Sequence, residues 1–467
     1  MAGPTETRSG AWRPRGKAGE RAELDHELVR AIQDAIADGD QARVTGLAGP
    51  LHEADKADLL EQVTPEERDA LVAQWRDEFD EEILPYLHES VRDEIVRLLP
   101  RAVLVRAVEE LDTDDAIYVI EGLAEGERQE LLDALPAPDR AFLEEGLTFE
   151  EDSAGRLMQR EVVTAPAYWS VGHVIDYLRA AGDELPEEFY DVFVVDPQRR
   201  PVGTVPLARL IRTQRPVIVR DIMDPEPHLV RVDTDQEEVA YLFSQYGLTS
   251  AAVVDGGGRI VGVITHDDVT EVIEQEAEED ILHLGGVGDT DFRDPVIRTA
   301  RKRFVWLFFN LGTTLVASFV IGFFHETISQ IIALASLMPI VAAIGGNAGT
   351  QAMTVAVRAL ATRDLTSANA LRSLRKEVLV ALFNGALCAI FMGLITWTRF
   401  ASWQIAGVMA AAMVANLFMA GLCGGLIPVL LSRWRIDPAP ASGVFVTAIT
   451  DIVGFLAFLG LATLFLL

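Results

Sequence analysis

Charge is nearly missing from the last third of this chain. From Phe304 to the C-terminus there are five acids (Glu326, Asp364, Glu377, Asp437 and Asp451) and eight bases, too few to dress a water-exposed surface. Cysteine is scarcer still: Cys388 and Cys423 both lie in apolar stretches, so there is no disulfide framework and no zinc-like spacing. The opening MAGPTETRSGAWRPRGKAGE, residues 1–20, lacks an apolar core of signal-peptide length and reads as a disordered, mildly basic tail. No convincing nucleophile–base pairing, P-loop or metal-protease motif occurs, which argues against an enzyme. Bases are the deficit in the remainder. Of the 467 residues, 71 are Asp or Glu and 40 Lys or Arg, and residues 1–303 hold 66 of the acids with 32 bases, a net charge of −34. A region so acidic has no electrostatic reason to bind nucleic acid, and its favoured small partner is a cation.

What the last third does contain is apolar sequence. Stretches long enough to span a bilayer, about 20 residues, lie at 304–324, 328–360, 377–398, 404–431 and 441–467, which predicts five spans. The second holds MPIVAAIGGNAGTQAMTVAVRAL, Met338 to Leu360, and is expected to bend or break at its Gly-rich centre. Such backbone is tolerated only where protein covers it or a wet cavity adjoins it. Arg298, Arg301, Lys302 and Arg303 precede span one, Arg363, Arg372, Arg375 and Lys376 separate spans two and three, and Arg433 and Arg435 separate spans four and five. The alternate loops offer only Arg399, so the acidic half is expected in the cytoplasm and the C-terminus outside.

Within span two, Asn347, Thr350, Gln351 and Thr354 fall at i, i+3, i+4 and i+7, one polar stripe on an apolar helix beside Gly345, Gly346 and Gly349. Two readings stand: hydrogen-bonding glue in a small-residue packing seam, or the wall of a wet pathway. In span five Asp451 is the sole ionisable group, and no Lys or Arg at comparable depth pairs with it. A carboxylate there costs about 2.5–3.5 kcal/mol on insertion scales unless it faces a cavity, a partner or an ion. Thr447 at i−4 and Gly454 at i+3 share its face, so a cation site is the favoured reading over a protonated structural acid. This half offers oxygen ligands and one histidine, His325, at its edge, a set that suits Mg²⁺ or Ca²⁺ rather than softer metals. One acid per chain is sparse, and two chains meeting at an axis would bring two Asp451 carboxylates to one divalent ion.

The acidic half subdivides. Residues about 20–147 read as helices with a loose internal echo, LLEQVTPEERDALV (59–72), VIEGLAEGERQELL (119–132) and LLDALPAPDRAFLE (131–144), which suggests stacked helical hairpins. Acid groups such as Asp77, Asp80, Glu81 and Glu82 read first as a solvated face and second as cation bridges. From Leu157 two β–α units follow, each with a Met-containing lead-in, a strand, a helix, two strands joined by a turn (DPQRRP or DGGGR) and a closing helix. This tandem resembles paired CBS domains. Thr265 and Asp268 in ITHDDV match the Thr-x-x-Asp pattern with which such domains hold an adenosine ribose, and VPLARL in the first copy lacks it. The run DDVTEVIEQEAEED, residues 267–280, has eight carboxylates and no base. On a helix its i+3 and i+4 acid pairs repel by a few tenths of a kcal/mol each. It is either a solvated helix or a divalent-ion sensor, with HLGGVGDTDFRDPVIRTARKR (283–303) as its lever into the membrane.

Taken in order, an acidic helical region, a CBS tandem, a connecting helix and five spans carrying GGNAGTQ, RALATRDL and DPAPASGVFVTAITD resemble the MgtE magnesium channels and transporters over residues about 20–467. The resemblance implies a multidomain fold: an α-helical superhelical N-domain at 21–147, α/β tandem CBS domains at 148–215 and 216–280, a plug-like connecting helix at 281–303 and an all-α five-helix transmembrane domain at 304–467. It implies a homodimer in a bacterial inner membrane that imports Mg²⁺ between its subunits, with Asp451 at the ion site and the Asn of the GGN motif at Asn347; Thr350 and Thr447 join them as candidates from their helix faces. It further implies closure when cytosolic Mg²⁺ bridges acids, for which Asp268, Glu271, Glu276, Glu279 and Asp280 are candidates. ATP or another adenine nucleotide at Thr265 and Asp268 is a candidate regulator. Two positions depart from some relatives, which carry Asn where this chain has Thr350 and Gly443. The rivals are a transporter of another divalent ion, such as Co²⁺ or Mn²⁺, and a membrane-anchored ion or nucleotide sensor that conducts nothing.

Overall fold

The computed structural model describes residues 24–75, 79–182, 185–186, 188–287, 296–366, 368–434 and 436–467, so the tail at 1–20, Asp77 and Arg435 lie outside the described residues. Its contacts divide the chain into two compact units, Met1–Glu274 and Gln275–Leu467.

The first unit opens with short helices, each with its own start signal. α1 (His26–Ala37) begins where the Asp25 carboxylate accepts from the Leu28 amide, and α2 (Gln41–Ala48) where Asp40 accepts from Arg43. These caps satisfy amides that have no partner inside the helix. α3 (Glu53–Gln62) leads to α4 (Pro65–Trp75), whose proline occupies the first helical position, where a missing amide does no harm. α5 (Glu89–Leu98), α6 (Arg101–Glu110), α7 (Thr113–Glu121), α8 (Glu125–Leu132) and α9 (Ala137–Gly146) complete the layer. The repeated pattern falls on the α3–α4, α7–α8 and α8–α9 corners, with α8 serving two of them. Leu59, Leu60, Leu71, Leu84 and Ile95 are fully buried in one continuous core. Asp80 and Glu81 engage Lys56 (2.9 Å) and Arg106 (3.3 Å), so both are ion-paired and partly buried.

After the short α10 (Ala154–Leu157) come two copies of one unit. β1 (Thr164–Pro166), α11 (Val171–Ala181), β2 (Asp191–Val195), β3 (Pro201–Pro206) and α12 (Leu207–Arg212) form the first; β4 (Leu229–Arg231), α13 (Gln236–Tyr246), β5 (Ser250–Val254), β6 (Ile260–Thr265) and α14 (His266–Leu284) form the second. Each sheet has a parallel pair followed by an antiparallel pair, and each antiparallel pair slips register at the matching place, Val194/Val195 and Val253/Val254. Asp196 and Asp255 tie the two tight turns by accepting from backbone amides two and four residues on. The methionine lead-ins are exchanged between copies. A methyl added to Gly262 would lie 2.7 Å from the sulfur of Met158, and one added to Gly203 would lie 2.7 Å from that of Met223. Each copy's lead-in therefore closes the other copy's sheet, which makes the tandem one folding body.

Among its described residues, the second unit contains five helices long and apolar enough to cross a membrane: α15 (Val296–Phe323), α17 (Ala333–Ala361), α18 (Ala370–Phe400), α19 (Trp403–Arg433) and α20 (Pro438–Leu466); the short α16 (His325–Gln330) lies between the first two. α19 is the central helix: half of its apolar window is buried, against 6% for α15. It packs against α17, α18 and α20. Two expectations need correction. Span two begins at Ala333 because residues 325–330 form α16, held by a 2.8 Å hydroxyl bond between Thr327 and Thr463. Nor does it break at the glycines: α17 runs unbroken through them, because Gly345 and Gly349 are buried against α19 and α20 and that packing holds the helix together. Between α14 and α15, residues 288–295 of the expected connecting helix lie outside the described residues.

Candidate ion path and regulatory clusters

The glycines decide which way α17 presents its polar stripe. A methyl at Gly349 would strike Val446 and lie 3.5 Å from Thr450 of α20, while one at Gly424 of α19 would lie 2.7 Å from the Gly349 carbonyl. Gly345 of α17 and Gly454 of α20 both abut the side chain of Asn416 on α19. Positions 345 and 349 thus stand against 454 and 446–450, an antiparallel register that puts Asn347 at the level of Asp451 and Thr350 at the level of Thr447. The intrachain seam consists of small residues. Asn347, Thr350, Gln351, Thr354 and Thr447 are instead exposed on the surface of the single chain, and Asp451 is half-buried among them. The glue reading fails within one chain, since the stripe does not face the helices that α17 packs against. No basic side chain among the described residues pairs with Asp451.

In the first unit the acids cluster where α7 meets α14. Beside them the Thr113 hydroxyl donates to Glu161 (2.6 Å) and that of Thr265 to Asp268 (2.7 Å). Burial, reinforced by the charges of Asp268 and its neighbours, pushes Asp115 up to about 7 and Asp114 well above the usual carboxylate range. Asp268 is itself pushed to about 6 by burial, against the opposing pull of its hydrogen bonds from Thr265. The inaccessible Oδ1 of Asp114 has no hydrogen-bond partner among the described residues. Carboxylates crowded at this density suit a divalent cation that would neutralise them. Still, no three His, Cys, Asp or Glu side chains among the described residues stand ready as a metal cage, so ligation requires them to draw together.

A second cluster lies inside the other unit, where the end of α14 meets the start of α20. His283 Nδ1 is 3.6 Å from both Glu279 and Asp437, and Asp280 is raised by burial and by the charge of Asp437. Leu284 packs beside Met353, Val357, Ala439 and Val446. Between the β-sheets of the first unit a narrow cleft, with room for about 10 Å³, is lined by Gln159, Glu161, Tyr190, Asp191, Ser250 and Thr265. That volume admits one water at most. An adenosine would have to widen the cleft and compete with Asp268 for the Thr265 hydroxyl.

Three family models match: a divalent cation transporter at residues 338–461, the MgtE intracellular N domain at 51–152, and CBS domains at 154–215 and 219–275. The magnesium transporter MgtE of Thermus thermophilus is 34% identical over 452 residues, covering 95% of this chain and 99% of that protein. The chain belongs to the MgtE family. It is also 28% identical over 361 residues to the MgtE of Bacillus subtilis, covering 77% of this chain and 80% of that one. A solved cytosolic domain of the Mg²⁺ channel MgtE in complex with ATP is 33% identical, covers 52% of this chain and 99% of its own, and superposes with a TM-score of 0.48. As an MgtE family member with five membrane-length helices, this is a multi-pass membrane protein.

The site residues chosen from sequence separate into three places. Asn347 with Asp451, and Thr350 with Thr447 one turn away, lie at two adjoining levels of the open helix faces. Asp268 and Glu271 belong with the α7 acids, and Glu279 and Asp280 with Asp437, while Glu276 lies between the two groups on α14. Sequence reading missed Asp114, Asp115, Asp437 and Asn416. The first two look like the acids that favour any helix N-terminus, and Asp437 looks like the N-cap that it also is.

Proposed function

We propose that this chain forms a homodimeric channel or transporter that carries Mg²⁺ inward across the bacterial inner membrane and closes when cytosolic Mg²⁺ occupies its acidic clusters. The observation that carries the reading is the polar stripe of α17, level with Asp451, on faces that a single chain leaves uncovered. Lipid cannot cover such a stripe without leaving amides, hydroxyls and a carboxylate unsatisfied. A second copy applied to these faces encloses a path lined by Asn347, Thr350, Thr447 and Asp451. Two Asp451 carboxylates then balance one hydrated divalent ion, and Mg²⁺ characteristically keeps several waters while touching one or two carboxylates. The name of the Thermus thermophilus relative supports Mg²⁺ as the cargo. Flux into liposomes holding the purified protein, with Co²⁺ and Mn²⁺ as competitors, tests the reading. Saturable Mg²⁺ entry that the others inhibit only weakly is expected, and a protein that conducts no divalent ion is a sensor instead.

Closure is assigned to the two acid clusters, bridged by Mg²⁺ at millimolar concentration. Replacing Glu271, Glu276, Glu279 and Asp280 together by their amides should raise the Mg²⁺ needed for closure about tenfold, since each lost carboxylate ligand weakens already weak sites. Limited proteolysis across a Mg²⁺ titration, beside flux, reads it. A variant that closes without Mg²⁺ would show that neutralisation rather than bridging drives the change.

Adenine nucleotide is assigned to the cleft at Thr265 and Asp268, as the ATP-bound relative suggests. Calorimetry on the full-length protein should detect binding that Asp268→Ala weakens at least tenfold, the loss of one charge-assisted ribose contact. Absence of ATP, ADP and AMP binding at millimolar concentration removes the assignment.

A further inference from the structure

Asn416 is fully buried in the middle of α19, and its side chain does one visible thing: Nδ2 donates to the Val341 carbonyl of α17 at 2.8 Å. Its Oδ1 is inaccessible and has no hydrogen-bond partner among the described residues. A buried acceptor left unmade costs about 1–3 kcal/mol, so an apolar residue of similar size would serve plain packing better. The surroundings show what the amide does there. A methyl on Gly345 of α17 would collide with the amide, and a methyl on Gly454 of α20 would lie 2.7 Å from Nδ2 and 3.2 Å from Oδ1. Two glycines on two different helices are therefore cut to fit one side chain on a third. Gly345 lies two residues before Asn347, and Gly454 three residues after Asp451.

We propose that Asn416 is a positioning residue for the ion path: its amide wedges α17 and α20 apart by a fixed amount and pins α17 through Val341, so that Asn347 and Asp451 face the ion at a set separation. Asn416 touches no ion itself. On α17 it acts from behind, at Gly345, nearly opposite Asn347; on α20 it acts at Gly454, about one turn along the helix from Asp451 on the adjoining side. A Leu or Ala at this position removes the pin, and a larger residue at either glycine changes the gap. Mg²⁺ holds rigid, near-octahedral geometry, whereas larger or softer ions tolerate varied distances, so the gap bears on which ion passes and how tightly it is held. This inference rests on the proposed path at Asp451.

The test uses full-length protein in liposomes, with Mg²⁺ half-saturation, maximal flux and Co²⁺ competition measured for Asn416→Leu, Asn416→Ala, Gly454→Ala and the Asn416→Ala/Gly454→Ala pair. Asp451→Asn serves as the control for the path itself. Each single change is expected to shift Mg²⁺ half-saturation or the Co²⁺ inhibition constant at least fivefold. The pair should perform better than Gly454→Ala and no worse than Asn416→Ala, because removing the amide makes room for the new methyl while the pin stays lost. A change in selectivity is not expected of a residue that only holds the fold together. If Asn416→Leu does not fold, the comparison of Gly454→Ala with the pair still decides. Overturning results are singles within twofold of wild type in both constants, or a pair no better than Gly454→Ala alone. Should Asp451→Asn conduct normally, the path reading falls; should it block while the Asn416 and Gly454 variants behave as wild type, only the present inference falls.

Discussion

Asp451→Asn should lower Mg²⁺ flux about a hundredfold or more, while the protein stays folded and becomes no less stable. The amide keeps the volume and half-buried position of the carboxylate beside Thr447 and Gly454, so packing is preserved. What it removes is the sole charge at mid-depth in α20, twice over in the proposed dimer. Losing a charge-assisted contact worth about 3 kcal/mol corresponds to two orders of magnitude. Stability moves the other way, because a mid-membrane carboxylate carries an insertion penalty of about 2.5–3.5 kcal/mol that the amide largely escapes. A variant that is sturdier yet inactive separates function from folding, as expected where a strained group is retained for activity. Flux dye measurements paired with thermal unfolding in detergent read both quantities. Near-normal uptake by a well-folded variant would sink the ion site, and so would lost flux accompanied by collapse of the protein.

How far the sequence leads can be judged from particular residues. Asp451 is legible alone, since a lone acid in an apolar span has few uses. The CBS tandem is legible because its turns, lead-in methionines and helices recur, although the exchange of Met158 and Met223 between copies appears only in three dimensions. Asn347 and Thr350 were visible as a stripe, but periodicity fixes only that they share a face, not which face is covered. Packing at Gly345 and Gly349 answers that. The same glycines misled the reading of α17, because glycine raises the intrinsic cost of a helix while tertiary contact overrides the propensity. Asp114 and Asp115 were hidden by distance along the chain from Asp268. Asn416, one amide in AAMVANLFMAG, had no local signal at all: its meaning depends on two glycines from other helices.

If Mg²⁺ binds the clustered acids of α7 and α14 as proposed, the first unit should respond to protons and Mg²⁺ through the same groups. Asp115, at about 7, and Asp268, at about 6, both lie above the 3.8 of an unperturbed aspartate. For an acid raised by folding, the neutral form is the one the fold prefers. Its destabilising effect is absent below about pH 4, grows as pH rises toward the folded value, and is complete above about pH 7. Without Mg²⁺, the first unit should therefore be more stable at pH 5.5 than at pH 8, by a few kcal/mol, or roughly 5–10 °C in melting temperature for a body of this size. Mg²⁺ at 10 times its half-effect concentration should restore about 1.4 kcal/mol or more at pH 8 and markedly less at pH 5.5, where protons already occupy the carboxylates. Asp115→Asn should flatten the pH dependence, raise stability at pH 8 without Mg²⁺ and shrink the Mg²⁺-induced gain. Thermal melts of wild type and variant at both pH values, with Mg²⁺ and with chelator, measure all four corners of this cycle. An equal Mg²⁺ effect at both pH values would show that the ion binds elsewhere, and closure would then have to be sought in the Asp280–Asp437 cluster at the foot of α20.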